Sequence, residues 1–467
     1  VASPSSGVIV AVSRNAADAS VRVVPVLDAQ PAACTGLQCA VVPNCDGTNN
    51  TVLSGTLYDP AGRNPLPDAL VYIPIDPLGQ VPAIALGTAA CGACPAFKPG
   101  GLVSITLTDY AGHFSLSDVP AGQRIPLVFQ IGKWRREVFL EVPSCVETVV
   151  PPSLSRLPKN QTEGDMPQLA ILAGGCDRLP CFVSDLGLDP SEFTGPDGGG
   201  RVHVYKGAGP GPDLSSGTAG DCTGDAGACP LWSNKDQLAK YDTLLLGCEC
   251  GENDQTKPDK LPLHDWLGAG GTVLAIHSQR TWFENGPDDF RTVANWGRGS
   301  SSRPFGVGTS FVVGQIFNEW LGRENALGAD GSLLLNPAQV STSVSTANSN
   351  ATSWIVGETS SDAAAPSGDD AGDLRGDVKV FSFLTPVGGS PLALPNQPLT
   401  TYCGRTLFTD IHPGGADVVD RSPVPASCQG GEMSVEEKAL EFLFFDLTNC
   451  LTATLSNKGV PPNILPH

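Results

Sequence analysis

Basic residues are scarce. The 467-residue chain carries 28 Lys and Arg against 48 Asp and Glu, a formal net charge of −20, and a surface of that sign repels nucleic-acid phosphates and anionic lipid headgroups. Nucleic acid is thereby excluded as a partner. No stretch reaches the ~20 apolar residues of a membrane-crossing helix, so no membrane span is expected. CxxCH does not occur, which rules out covalent c-type haem. CxxC occurs once, at Cys91–Cys94, with no second copy at ribbon spacing, so zinc is the weaker reading of the cysteines. Val1 is not preceded by an initiator Met, and "VASPSSG" has no charged and apolar leader, as expected of a chain whose signal peptide has been removed.

Charged residues make up only 16% of the chain, whereas Gly (54) and Pro (41) are abundant, a balance that favours turns, short strands and rigid loops. Fifteen cysteines are too many for a reduced cytosolic protein of this kind and point to disulfides in an extracellular or cell-surface setting. Tight local spacings offer Cys91/Cys94, Cys176/Cys181 and Cys222/Cys229 as pairs, and the odd total leaves at least one thiol without a partner in the chain.

The expected fold class is multidomain, β plus α/β: a β-sandwich followed by a mostly parallel α/β sheet domain with a β-rich insertion. Residues 1–50 read as an extended, cysteine-bearing segment. From 51 to 150, strands alternate with turn signals every ten or so residues, as sandwiches do. Gly55, Asp59 and Gly62, then Thr108, Asp109, Gly112, Phe114, Leu116, Val119, Pro120 and Gly122, resemble the pattern of the carboxypeptidase regulatory-like domain, a transthyretin-like sandwich. That resemblance implies a spacer or binding module and no catalysis. The insertion around Cys91–Cys94 is longer than the family's loop.

Residues 151–164, with adjacent prolines, read as a linker, and 165–467 as α/β. "PQLAILAG", "YDTLLLGCECGE", "GGTVLAIHSQ" and "GRTLFTDIHPGG" are apolar on both faces, as buried parallel strands are. "LPLHDWLGA" supplies a helix. A last helix opens on Ser434 and Glu437, spaced as a capping box. Between about 284 and 400 lies an insertion or accessory lobe with strand-like "TSFVVGQIF", "SWIVGE" and "DVKVFSFL".

The order of these strands and helices, with "GGTVLAIHS" at its centre, resembles the ThuA-like branch of the class I glutamine amidotransferase-like fold. The resemblance places His277 at the strand-to-helix elbow where active amidotransferases carry a nucleophilic Cys. Imidazole is a poor substitute for a thiolate, and no G-x-S-x-G or G-x-C-x-G surrounds it. Cys248 and Cys250 follow the preceding strand and face the same end of the sheet. They are either half-cystines, paired with Cys176, Cys181 or another neighbour, or a thiol beside His277 in a Cys–His dyad. His412, with Asp410 two residues earlier, ends the last strand, so His277, His412 and Glu252 are candidates for a metal or acid–base site in the crevice beyond the strand ends.

Acidic glycine loops such as "TGPDGGG", "DCTGDAGAC" and "SGDDAGDLRGD" offer oxygens to calcium, though none has EF-hand spacing; solvated loops are the competing reading. Sequons begin at Asn49, Asn160 and Asn350, and Arg375–Asp377 spells RGD. Two functions follow as expectations. One is a secreted, disulfide-stabilised structural or binding protein without catalysis, self-associating into a fibre or array through β-rich residues before about Gln30. The other is an extracellular hydrolase of a glycan or amide using His277 and His412.

Overall fold

A computed structural model describes residues 34–42, 45, 50–76, 83–87, 101–209, 211–224, 229–297, 304–358, 376–388, 402–414, 421–428 and 430–449. The expectations for the N-terminal strands, for Cys91 and Cys94, for Asn49 and for most of the acidic loop at 367–377 lie outside the described residues. Val1–Thr35 and Gly36–His467 form separate units, and the second is described below.

Among the described residues of 52–149 there are seven strands: β1 (Val52–Thr56), β2 (Leu70–Pro74), β3 (Leu102–Leu107), β4 (His113–Ser117), β5 (Gly122–Ile131), β6 (Trp134–Val142) and β7 (Glu147–Val149). They form a four-stranded sheet ordered β3-β2-β5-β6 and a three-stranded sheet ordered β4-β1-β7. Strand β4 exposes His113, Ser115 and Ser117 and buries Phe114 and Leu116, the period of two that turns one face inward. Phe114 meets Phe129 of β5 edge-on, with ring centroids 5.6 Å apart. The turn into β4 is built by Asp109, whose Oδ1 accepts from the N–H groups of Ala111 (2.8 Å) and His113 (2.9 Å). Gly112 completes it at φ 71°, where a Cβ would lie 2.8 Å from the Leu57 carbonyl oxygen, so only glycine fits. A Cys45–Cys145 disulfide braces this region. The segment expected as a linker forms no strand or helix and is tied down by hydrogen bonds such as Leu157 N–H to Tyr58 O (3.0 Å).

A large mixed sheet dominates the rest. Its strands are β8 (Leu169–Ala173), β9 (Phe193–Thr194), β10 (Val202–Lys206), β11 (Gly220–Asp221), β12 (Thr243–Leu246), β13 (Thr272–Ile276), β15 (Phe305–Val307), β17 (Ala351–Glu358), β18 (Gly376–Thr385) and β19 (Gly404–Thr409), while β14 (Ala294–Trp296) pairs with β16 (Val344–Ala347) separately. The order is β11-β10-β8-β12-β13-β19-β18-β17-β15, with β9 beside β10. Pairings from β11 through β19 are parallel, and β18, β17 and β15 continue the sheet antiparallel. Residues expected as an accessory lobe therefore extend the main sheet.

Seven helices, α1 (Leu179–Asp185), α2 (Lys235–Leu238), α3 (Leu261–Gly268), α4 (Thr281–Glu284), α5 (Asp288–Arg291), α6 (Val312–Arg323) and α7 (Val435–Thr448), complete the described α-structure. Helix α6 corrects the strand expected at "TSFVVGQIF". Its buried Gly314, Phe317, Trp320 and Leu321 recur at three and four residues, and this period outweighs the β-branched Val312 and Val313. Helix α7 has the expected capping box: Glu437 N–H donates to Ser434 Oγ (3.2 Å), and Ser434 N–H to Glu437 Oε2 (2.9 Å). It buries Ala439, Leu440, Leu443, Phe444 and Leu447, and Trp134 of β6 packs on Phe444 and Phe445 at 6.3 and 5.9 Å between centroids. Trp320 Nε1 donates to Pro65 O at 2.7 Å. One apolar core thus runs from the first seven strands into the large sheet.

This contact also buries two carboxyl groups together. Asp59 and Glu441 are fully buried, and Asn64 Nδ2 donates to Glu441 Oε2. Burial, reinforced by the charge of Asp59, pushes Glu441 well above the ordinary carboxylate range. A raised folded-state value gives stability that is complete below the unfolded glutamate value near 4.5 and is lost as pH rises through the folded value. Glu441→Gln, which cannot ionise, is expected to flatten the alkaline fall of the stability curve. Thermal unfolding of both proteins from pH 4 to 9 checks this as a difference between the two curves.

Candidate functional site

Strands β12, β13 and β19 are adjacent and parallel, with Leu246 opposite Ala275 and Ile276 opposite Thr409. Cys248, His277 and His412 lie just past their C-terminal ends, so all three emerge at one edge of the sheet, where open α/β sheets place their sites. His277 takes a left-handed φ of 42° and opens a 3-10 helix, His277–Arg280, directly after β13. A non-glycine residue held in that conformation at a strand-to-helix turn is a local strain fixed by its surroundings.

Cys248 Sγ lies 3.6 Å from His277 Nδ1, and the rings of His277 and His412 meet edge-on with centroids 5.1 Å apart. Each of Cys248, His277 and His412 offers one ligand atom, and these atoms lie within 4.8 Å of one another. His412 Nδ1 donates to the Cys176 carbonyl (3.0 Å), which leaves Nε2 to accept from Ser341 Oγ (2.9 Å). Burial, then the neighbouring His277, lowers His412 to about 3. His277, half-buried, is lowered mainly by burial, against the pull of Asp410. The Cys248 thiol is only 1% exposed, and burial, followed by the charge of Asp177, pushes it up to about 11. Asp177, itself raised to about 7 by burial, accepts from the N–H groups of Cys248 and Leu179. Chemically, the trio can pass a proton between thiol and imidazole or present a sulfur and two nitrogens to one ion.

The supporting shell is dense. Glu249 Oε2 accepts from Lys257 Nζ (2.5 Å) and Gln279 Nε2 (3.0 Å), and Oε1 from Ala208 N–H (2.6 Å). Ser278 Oγ accepts from Glu249 N–H at 3.1 Å. At Gly174 a Cβ would stand 2.0 Å from the Cys248 carbonyl oxygen, so glycine alone lets the end of β8 approach this loop.

Two candidates stand beside the trio. Glu252 is turned into an ion pair with Arg280, accepting from Nε (3.0 Å) and Nη2 (2.7 Å). Asp410 is fully buried and accepts from the backbone and hydroxyl of Ser343. The cysteine expectations need correction. Cys250 and Cys248 do not share a fate: Cys250 bonds Cys176, whereas Cys248 is a free thiol. Cys250 has φ 63°, which turns it away from the strand direction to bring its Cα within 5.1 Å of Cys176. Cys176 and Cys181 do not pair with each other, since Cys181 bonds Cys428 across 247 residues. Cys222 bonds Cys229, and Cys39 and Cys403 are also half-cystines. Among the described residues, none of the acidic glycine loops gathers three metal-competent groups. Asp221, for example, instead accepts from Thr223 in its own turn.

Sequence reasoning missed Asp177, Ser341 and Ser343, which come from distant segments, and Lys257, which lies in the loop that carries Glu249. Ser278 and Gln279 were within reach, because they adjoin His277 in "IHSQ".

No protein-family model matches the chain, and no curated protein matches it either. The two family resemblances therefore rest on the residues quoted for them.

The Lys257–Glu249 pair is 0% exposed on both sides. Lys257→Met, which leaves Glu249 charged and unpaired, is expected to cost about 3–5 kcal/mol. Adding Glu249→Gln should recover much of that loss, as measured by urea unfolding with the disulfides intact.

Proposed function

We propose that this chain is an extracellular, disulfide-stabilised binding or structural protein whose amidotransferase-like frame serves as a scaffold. One observation carries this reading: the elbow holds an imidazole, and the one free thiol among the described residues stands off the elbow, 1% exposed. A nucleophile must be exposed to substrate as well as placed near a base. The disulfides Cys45–Cys145, Cys176–Cys250, Cys181–Cys428 and Cys222–Cys229 support an oxidising setting. Among the described residues no helix is long and apolar enough to cross a membrane. The purified chain is expected to show no hydrolysis of amide, ester or glycoside substrates above background; an enzyme-like rate abolished by His277→Ala would overturn the reading.

A second reading, the extracellular hydrolase, is favoured by the 3.6 Å approach of Cys248 Sγ to His277 Nδ1 and by the ring contact of His277 with His412. In that reading the same assays succeed, and Cys248→Ser and His277→Ala each abolish turnover.

Self-association through residues before about Gln30 is proposed from the sequence, since a β-rich segment without a turn-coded partner can add to the sheet edge of a neighbouring copy. A strand donated head to tail is heterologous and builds rings or filaments. Deleting that segment is expected to convert an assembling protein into a folded monomer in light scattering; unchanged assembly would refute the proposal.

A further inference from the structure

We infer that Cys248, His277 and His412 form a binding site for one divalent transition-metal ion of the zinc class. The inference holds whether or not the frame turns over a substrate, and its tests read binding alone.

The donor set selects the ion. One thiolate and two imidazoles suit zinc and its neighbours, whereas calcium and magnesium require oxygens. The carboxylates around the trio are engaged elsewhere: Asp177 with the N–H groups of Cys248 and Leu179, Glu252 with Arg280 and Asp410 with Ser343. The spacing also fits. A tetrahedral ion with sulfur at ~2.3 Å and nitrogens at ~2.0–2.1 Å sets neighbouring donors roughly 3.3–3.6 Å apart. Cys248 and His277 stand at 3.6 Å already, and the widest separation in the trio is within 4.8 Å, so closure by about 1 Å completes the set.

The surroundings are those of a metal site. His412 donates Nδ1–H to the Cys176 carbonyl, the outer bond that fixes the tautomer of a ligating imidazole and aims the other nitrogen at the ion. Nε2 would exchange the Ser341 hydroxyl, now at 2.9 Å, for the metal. Glu249, next to Cys248, donates its N–H to Ser278 Oγ (3.1 Å), which pins the loop carrying the thiol to the residue after His277. The Cys176–Cys250 disulfide locks the carbonyl and the loop that supply these contacts. On binding, the S–H bond of Cys248 is replaced by an S–metal bond and its proton passes to solvent, while both imidazoles bind neutral. Three protein donors leave a fourth position on the half-buried His277 side for water or an external ligand.

The full chain, stripped with EDTA and kept free of reductant so that its disulfides stay closed, should take up one Zn²⁺ or Co²⁺ per chain. The Co²⁺ form should show a sulfur-to-metal charge-transfer band in the near ultraviolet together with tetrahedral d–d bands. Cys248→Ser should remove that band, and His412→Ala should weaken affinity by at least about tenfold. His264→Ala, at a half-buried site beside Asp265 and Asp289, should change neither. A measurement on unaltered protein guards against variants that fail to fold: zinc-edge X-ray absorption should find one sulfur at about 2.3 Å and nitrogens at about 2.0 Å. No bound ion, or a coordination shell without sulfur, would overturn the inference.

Discussion

Strands β12, β13 and β19 lie side by side and parallel, so the chain must leave all three at the same edge of the sheet, and the site depends on this register. A one-residue slip of any strand would turn every side chain to the opposite face and shift the residues that follow it along that edge. Strands β12 and β19 are wholly buried, and their pairing with β13, Leu246 to Ala275 and Ile276 to Thr409, sets where Cys248, His277 and His412 stand.

Around that edge, covalent and ionic ties replace the regular structure that ends there. Cys176–Cys250 joins the loop after β8 to the loop after β12, and Cys181–Cys428 ties α1 to a distant loop. The buried Lys257–Glu249 pair holds the backbone between Cys248 and Cys250, and Asp177 caps the Cys248 N–H from below. The thiol in this setting is 1% exposed, and among the described residues no other cysteine is free to pair with it. These constraints make the strand-to-helix turn at His277 a rigid frame.

Much of this order was legible in the sequence. Apolar runs bounded by glycines located β8, β12, β13 and β19, and the Ser434/Glu437 spacing located the start of α7. Each is a local signal whose cause lies within a few residues. Helix α6 was misread because a nine-residue window holding Phe311, Val312, Val313, Ile316 and Phe317 shows β-branched and aromatic character before it shows a period; Trp320 and Leu321, just outside it, reveal the helix. At the site, His277, His412 and Cys248 could be nominated because each directly follows a recognisable strand. The choice of Cys250 over Cys248 as the partner of Cys176 could not be read, because it turns on one left-handed backbone angle and on a loop 74 residues away. Nor could the supports Asp177 and Ser341, whose roles exist only once distant segments meet.

The central claim is that the frame holds its thiol as a buried structural or ligating group rather than as a nucleophile. Timed alkylation of the native chain with iodoacetamide, without reductant and read at Cys248 by mass spectrometry, tests it most directly. The account expects Cys248 to stay unmodified in the folded protein over times at which it reacts fully after denaturation. Rapid, stoichiometric labelling of Cys248 in the native chain, slowed by His277→Ala, would contradict it.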